Sequence, residues 1–191
     1  MKRILSMLLI VALLSTLLVV PANADAIGTI ALTSSPSSVT KGGTVSVTIS
    51  LTQNPGLTGL TLSVGYPSDW TLTAVAEEKM FGATGFTSPN LENNPVTLPW
   101  LHGTENITAT GTLATLTFSV SDSATLGDQT ITVSCSEAYD TGFNDATISD
   151  ASVTVSVVSC VHANTEQVPA EAATCVDPGH EAGTKCKDCD D

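Results

Sequence analysis

Apolar and polar residues alternate along most of this chain. In residues 44–51, valine, isoleucine and leucine occupy every second position, and threonine and serine occupy the positions between them. This period of two places the apolar side chains on one face of a half-buried β-strand. The same pattern recurs in 60–66, 116–120, 131–135 and 153–157, and weaker versions cover 29–33, 70–75 and 96–101. Apolar residues spaced three and four apart are nearly absent after the N-terminal segment, so the sequence predicts an all-β fold.

Turn-forming residues separate these predicted strands. Examples are Lys41-Gly42-Gly43, Asn54-Pro55-Gly56 and Asn93-Asn94-Pro95, which combine residue types that favour tight turns. Eight or nine short strands with this spacing are typical of two sheets packed face to face. We therefore expect one main domain, an all-β two-sheet sandwich.

The first 24 residues have the layout of a signal peptide. Lys2 and Arg3 precede an almost wholly apolar run, and Pro21-Ala22-Asn23-Ala24 ends it with a small-x-small cleavage site. The alternative is a retained membrane anchor, but the run is short for a membrane span and leads into that cleavage site. We predict cleavage after Ala24, secretion to the cell exterior or surface, and a mature sandwich over residues 25–158 with no membrane insertion.

Charge and motif content limit the functions to be considered. The chain has 19 acidic and 6 basic residues and a formal net charge of −13. A surface of this sign repels nucleic acid and anionic lipid, so neither is expected as a partner. No G-x-S-x-G motif is present, and His102 stands alone in a predicted loop. We predict that the chain is not an enzyme.

Four short segments occur in an order that a known family shares. They are residues 39–47, the Gly56-Leu57 step that leads into 60–66, residues 111–118, and Val153-Thr154-Val155. In these segments the chain resembles the cohesins, the receptor modules of bacterial cellulosome scaffolds, over residues 27–157. The resemblance implies a nine-stranded jelly-roll sandwich related to certain carbohydrate-binding modules. It also implies capture of dockerin modules carried by polysaccharide-degrading enzymes, with calcium held by the dockerin.

The predicted strand at residues 60–66, with Gly59 directly before it, departs from the family pattern. In well-known cohesins an Asn and an Asp on this strand hydrogen-bond the dockerin, and Gly59 and Thr61 take their places here. We therefore expect partner binding through Thr61, Ser63 and Leu113. Leu113 falls out of phase with Leu116, which predicts an outward side chain. An outward leucine marks either a contact site or one of the single exposed apolar residues that are common on proteins.

Residues 159–191 differ from the sandwich, because they contain four of the five cysteines and two of the three histidines. We predict a small Cys/His-rich appendage here. Cys160, His162, Cys186 and Cys189 have a spacing that suits tetrahedral zinc, with Cys175 as a spare or replacement ligand. Two disulfides are an equal alternative, since an exported segment of about 30 residues meets oxidants and lacks a core. The segment also resembles short Cys/His tail repeats of secreted bacterial proteins.

Direct carbohydrate binding by the sandwich is the alternative function. Sugars are gripped by exposed aromatic faces, and the chain has eight aromatic residues. Tyr66 and Phe118 are in core phase, while Trp70 and Trp100 lie near strand ends, where tryptophan more often fills a core. A generic adhesion or spacer domain is a third alternative. We favour a secreted, non-catalytic scaffold module that binds a dockerin-containing protein.

Overall fold

The computed structural model describes residues 27–82, 85–159 and 164–187. The predicted signal peptide, residues 1–24, lies outside this part of the chain. The described residues form twelve β-strands and no helix, so none of them builds a helix that could span a membrane. The prediction of an all-β fold is confirmed.

The strands follow in chain order. They are β1 Ile27–Ser35, β2 Ser38–Thr40, β3 Thr44–Gln53, β4 Gly59–Gly65, β5 Trp70–Glu77, β6 Val96–Leu101, β7 Gly111–Val120, β8 Gly127–Tyr139, β9 Thr147–Ser149, β10 Ala151–Val158, β11 Thr165–Val168 and β12 Gly183–Cys186.

Ten of these strands build a sandwich of two five-stranded sheets. Sheet A has the order β5-β7-β3-β1-β9, and sheet B has the order β2-β10-β8-β4-β6. Neighbouring strands are antiparallel except for the pairs β1–β9 and β10–β2. These two parallel pairs lie at one side of the sandwich, where the chain passes from one sheet to the other between β1 and β2 and again between β9 and β10. The predicted two-sheet jelly-roll sandwich is confirmed, with β2 and β9 as three-residue strands that bring the count to ten.

The alternating pattern explains the core between the sheets. Val45, Val47, Ile49 and Leu51 of β3 are all 0–1% exposed, and the apolar positions of β4 and β8 meet them from sheet B. The serine and threonine residues between them point away from the core. Both tryptophans are buried as well, in agreement with their predicted role as core residues.

Leu113 is the position where the alternation misled the prediction. Its side chain is fully buried and does not point outward. Along the β3–β7 ladder Ala114 pairs with Ile49 and Thr112 pairs with Ser50, so Leu113 is the extra residue of a β-bulge. A bulge shifts the phase of a strand by one position, and Leu113 and Ala114 therefore both enter the core. The prediction of Leu113 as an outward, partner-contacting residue is wrong.

The tail contains a small hairpin that its polar sequence did not predict. β11 and β12 pair antiparallel from Thr165–Cys186 to Val168–Gly183. Glu171 and His180 form a further antiparallel bridge between them, and His180 Nε2 lies 3.6 Å from Glu171 Oε2. Backbone pairing joins the two strands, and Lys187 Nζ lies 3.5 Å from Glu166 Oε2 across the pair.

Candidate partner-binding face

The outward side chains of β4, β6 and β8 form one solvent-facing surface, which we call face B. β4 lies between the other two strands. Thr61 has Pro99 of β6 on one side and Glu137 of β8 on the other. Ser63 follows Thr61 on the same side of β4, and both are half-buried. The structure thus places two of the three predicted binding residues on a common surface and removes Leu113 from it.

One end of face B is covered by a tyrosine ring. Gly59 pairs with Leu101 of β6 and with Tyr139 of β8. A Cβ atom added to Gly59 would overlap Tyr139 Cζ and would lie 2.6 Å from Tyr139 Oη, closer than real side chains approach. The ring of Tyr139 therefore lies directly over Gly59 and occupies the space that a side chain at position 59 would need. Glycine within a strand often marks such a close approach.

Phe143 extends this aromatic surface into the solvent. Its ring stacks on Tyr139, with centroids 6.1 Å apart and an angle of 19° between the planes. The side chain is 84% exposed. Its backbone has φ of +58°, in the left-handed region that bulky residues rarely adopt. Packing of the core does not require an aromatic residue here, so Phe143 is a candidate contact residue.

The turn that contains Phe143 is stabilised by hydrogen bonds to the carboxylate of Asp140. Asp140 Oδ1 accepts hydrogen bonds from the backbone N–H of Gly142 at 2.8 Å and of Asn144 at 2.9 Å. The side-chain amide of Asn144 donates to the same carboxylate at 2.9 and 3.1 Å. These bonds, with the Asn144 side chain first, hold the pKa of Asp140 below its usual value. The Thr141 N–H donates to Asn106 Oδ1 at 2.8 Å, which ties the turn to a neighbouring loop.

Leu101, Tyr139 and Phe143 together form an apolar plate at this end of face B. Leu101 is 52% exposed and lies in the same cross-strand row as Gly59 and Tyr139. β4, β6, β8 and the turn at 140–146 contain no lysine or arginine. The plate is thus an exposed apolar surface, and these three strands and the turn carry only negative formal charges.

The plate could have been found in part from the sequence. Leu101 continues the alternation of β6, in which Val96, Leu98 and Trp100 are buried, so its outward direction follows from the period of two. Tyr139 and Phe143 carry no comparable signal, because their position depends on the glycine of another strand and on a specific turn.

A groove of about 620 Å³ opens beside the plate. Cys135, Tyr139, Phe143, Asp145 and Ile148 are among the residues that line it. Cys135 follows Ile131 and Val133 in the alternation of β8, and its free thiol is half-buried. Burial raises its pKa, and the thiol is therefore protonated and weakly nucleophilic at neutral pH.

The proposed zinc ligands of the tail are only partly covered by the structure. Cys160, His162 and Cys189 lie outside the described residues. Cys175 is exposed and Cys186 is buried. Within the described ranges no group of three or more His, Cys, Asp or Glu residues could hold a metal ion. A zinc site built from the five residues together stays a prediction, as does the disulfide alternative.

Several solved structures are similar to this chain at low sequence identity. A non-cellulosomal cohesin from Archaeoglobus fulgidus is 18% identical, with a TM-score of 0.57 over 70% of this chain and 92% of its own. The cohesin CaCohA2 from Clostridium acetobutylicum is 20% identical, with a TM-score of 0.55 over 68% of this chain and 91% of its own. A type I cohesin–dockerin complex from Clostridium thermocellum is 17% identical, with a TM-score of 0.54 over 68% of this chain and 99% of the matched chain.

These similarities establish the fold, and the sequence itself establishes the family. The chain matches none of the curated proteins with which it was compared. The family model of the cohesin domain, however, matches residues 30–158, which is nearly the whole sandwich. The chain therefore belongs to the cohesin family, whose modules are non-catalytic.

Proposed function

We propose that this chain is a secreted docking module that captures a dockerin-containing protein through face B. The observation that carries the proposal is an exposed apolar plate at one end of an otherwise hydroxyl-rich sheet surface in a cohesin domain. Protein interfaces gain affinity from a few well-placed aromatic and aliphatic residues, with polar neighbours around them. Similar cohesins have been solved in complexes with dockerins, which supports the same class of partner here.

The finer parts of the proposal come from the family. The dockerin is proposed to belong to a polysaccharide-degrading enzyme and to carry the calcium of the complex. Secretion is proposed from the signal-peptide pattern of residues 1–24. One similar cohesin is described as non-cellulosomal, so we propose dockerin capture without assigning the chain to a cellulosome.

The test is a binding assay with the mature chain immobilised and a panel of purified, calcium-loaded dockerins in solution. Each dockerin is also treated with EDTA and freed of the chelator before use, so that any zinc in the tail of the cohesin is left in place. We expect at least one dockerin to bind, and we expect the metal-free form of that dockerin to bind at least tenfold more weakly, since metal binding is coupled to folding in small metal-binding modules. Binding that is indifferent to calcium removal would argue against a dockerin partner.

Carbohydrate binding stays the second candidate, because Phe143 offers an exposed aromatic face of the kind that sugars stack on. The same immobilised chain is therefore tested against a panel of insoluble polysaccharides. Retention on a polysaccharide together with failure to bind every dockerin would replace the docking proposal with the carbohydrate one.

The tail is proposed to be a separate structural unit stapled by zinc or by disulfides. Metal analysis of the purified mature chain and thiol counting after denaturation distinguish the two. Zinc at one equivalent with all five cysteines as thiols supports the metal site. Four cysteines that react with thiol reagents only after a reductant is added support two disulfides.

A further inference from the structure

The four edge strands of the sandwich differ in length and in cover. Sheet A ends at β5 and β9, and sheet B ends at β2 and β6. β2 and β9 have only three residues each, and such short edge strands present few unpaired backbone groups to another chain. The two longer edges, β5 and β6, are therefore the places where a further strand could pair.

β6 is covered on its free side. Phe86 forms an antiparallel bridge with Trp100, and the Leu101 N–H donates to the carbonyl of Gly85 at 2.6 Å. Pro99 lies in the middle of the strand and has no backbone N–H. Proline on an edge strand is one of the features that prevent pairing with another chain. This edge is thus closed to a further strand.

β5 has no such cover among the residues that the structure describes. Its neighbour in sheet A is β7, and four of its side chains are exposed, namely Thr71, Thr73, Ala74 and Ala76. Residues 70–76 include no charged residue and no proline, and their tryptophan, threonine and valine side chains favour extended structure. An uncovered and uncharged edge of this composition is a template for pairing with another strand.

A β-bulge limits the strength of such pairing. The β5–β7 register shifts between Leu72 and Ala74, which makes Thr73 the extra residue, and its hydroxyl donates to the carbonyl of Thr117 at 3.0 Å. A bulge bends its strand and disrupts the ladder locally, so a partner strand pairs along a short stretch. A contact of this size buries less than the roughly 1,200 Å² of a stable complex, and a weak, concentration-dependent association follows.

The charge pattern favours a second copy of this chain as the source of the partner strand. The chain has a formal net charge of −13, so two copies repel each other where their acidic surfaces approach. Glu77 is the only ionisable residue in the five strands of sheet A. In an antiparallel pair of two β5 strands the two Glu77 carboxylates lie at opposite ends, about 20 Å apart. Their repulsion is screened at this distance, since the Debye length is about 8 Å at physiological ionic strength.

We propose that β5 pairs antiparallel with β5 of a second copy, and that this contact joins two copies of sheet A in a weak, two-fold symmetric dimer. Two identical edges satisfy each other's free backbone groups in such a contact. A neutral edge has no charge with which to select a basic or acidic peptide, whereas its own copy meets it without opposed like charges. The contact does not use face B, so it is independent of the proposed docking function.

The experiment is sedimentation equilibrium of the mature chain from about 10 µM to about 1 mM, a range that covers weak complexes. The variant Thr71→Glu/Ala76→Glu places two carboxylates on the free edge of β5. The matched control Thr44→Glu/Thr52→Glu adds the same charge at two exposed positions of β3, which lies between β7 and β1. Circular dichroism verifies that each variant is folded, and non-reducing electrophoresis excludes disulfide-linked dimers.

The weight-average mass of the natural chain is expected to rise with concentration toward twice the monomer mass. The control is expected to associate like the natural chain, and Thr71→Glu/Ala76→Glu to associate at least tenfold more weakly. Added salt is expected to strengthen association, because it screens the repulsion between two acidic copies. Hydrogen exchange of the natural chain is expected to slow in residues 70–77 between the lowest and the highest concentration, a readout that needs no variant.

Every other outcome overturns the proposal. A natural chain that stays monomeric up to the highest concentration refutes the dimer. Equal weakening in the variant and the control assigns association to the outward side chains of sheet A or to total charge, and not to the edge. Association that persists in Thr71→Glu/Ala76→Glu, or slowed exchange outside residues 70–77 alone, assigns the contact to another surface. Association that weakens with added salt shows that charge pairs hold the copies together and refutes the neutral edge.

Discussion

Replacement of Leu113 by alanine tests the bulge that turns this side chain into the core. Leu113 is 0% exposed, and a buried Leu→Ala substitution costs about 2–5 kcal/mol of unfolding free energy through lost transfer energy and the cavity left behind. If the simple alternation of β7 held, the side chain would face solvent and the cost would be below about 0.5 kcal/mol. The inward and outward orientations of Leu113 thus predict losses of unfolding free energy that differ by a factor of at least four.

Leu101→Ala is the matched control. Leu101 is 52% exposed, so about half of the 1.5–3 kcal/mol for complete burial of a leucine is at stake and no closed cavity forms. We expect a loss of about 1 kcal/mol for this variant. The difference between the two Leu→Ala substitutions is more reliable than either absolute value, because errors in the unfolded reference state largely cancel.

Urea denaturation followed by tryptophan fluorescence measures both variants, since Trp70 and Trp100 are buried and report on loss of the sandwich core. With a slope of about 2 kcal/mol per molar urea, Leu113→Ala is expected to lower the midpoint by about 1–2.5 M. The slope should stay unchanged. If Leu113→Ala destabilises no more than Leu101→Ala, Leu113 is outside the core and the bulge between β3 and β7 is refuted.

Three further predictions concern the plate, the thiol and the turn. Gly59→Ala is expected to lower the free energy of unfolding by about 1–3 kcal/mol, because the new methyl group overlaps the ring of Tyr139. In a double-mutant cycle this cost should vanish in a Tyr139→Ala background. Equal costs in both backgrounds would show that the ring does not cover Gly59. With the tail thiols reduced, iodoacetamide at pH 8 is expected to modify exposed Cys175 at least tenfold faster than half-buried Cys135, whose pKa is raised by burial. Peptide mass spectrometry measures the two rates, and comparable rates would contradict the partial burial of Cys135. The Asp140 carboxyl is expected to titrate below a usual aspartate, because its pKa is lowered by hydrogen bonds from the turn. Its stabilisation of the turn is therefore complete above the unfolded pKa and is lost as the pH falls through the lower folded pKa. An NMR titration of Asp140 with an ordinary midpoint would refute this.

The sandwich was predictable because its strands obey one rule. In β3 every apolar residue of the alternation is buried and every residue between them is exposed or half-buried. Sheet pairing couples such strands side by side, so that a single period determines which face of each strand enters the core. The same rule gives the outward positions of Thr61 and Ser63, and the family resemblance supplied the sheet arrangement that the period alone does not contain.

The rule fails where a single residue interrupts it. At Leu113 one extra residue in β7 reverses the phase, and nothing in the composition of Thr112-Leu113-Ala114 distinguishes a bulge from a regular strand. The tail hairpin was missed for a different reason, because Thr165–Val168 and Gly183–Cys186 pair through their backbones without an alternating apolar face. Both cases depend on pairing between distant segments, which a local pattern does not record.

At the candidate binding surface, residues on different strands depend on one another. At Gly59 the lack of a side chain is meaningful only together with Tyr139, since the ring fills the space that a side chain would take. An asparagine introduced at position 59 would displace the ring from the row that it shares with Leu101, and the stacking with Phe143 would be lost with it. A side chain at position 59 and the ring of Tyr139 in its present place are thus mutually exclusive. If the apolar plate is the proposed recognition surface, it takes the place of the familiar polar pair on β4, and residues 59 and 139 have to be changed together to convert one into the other.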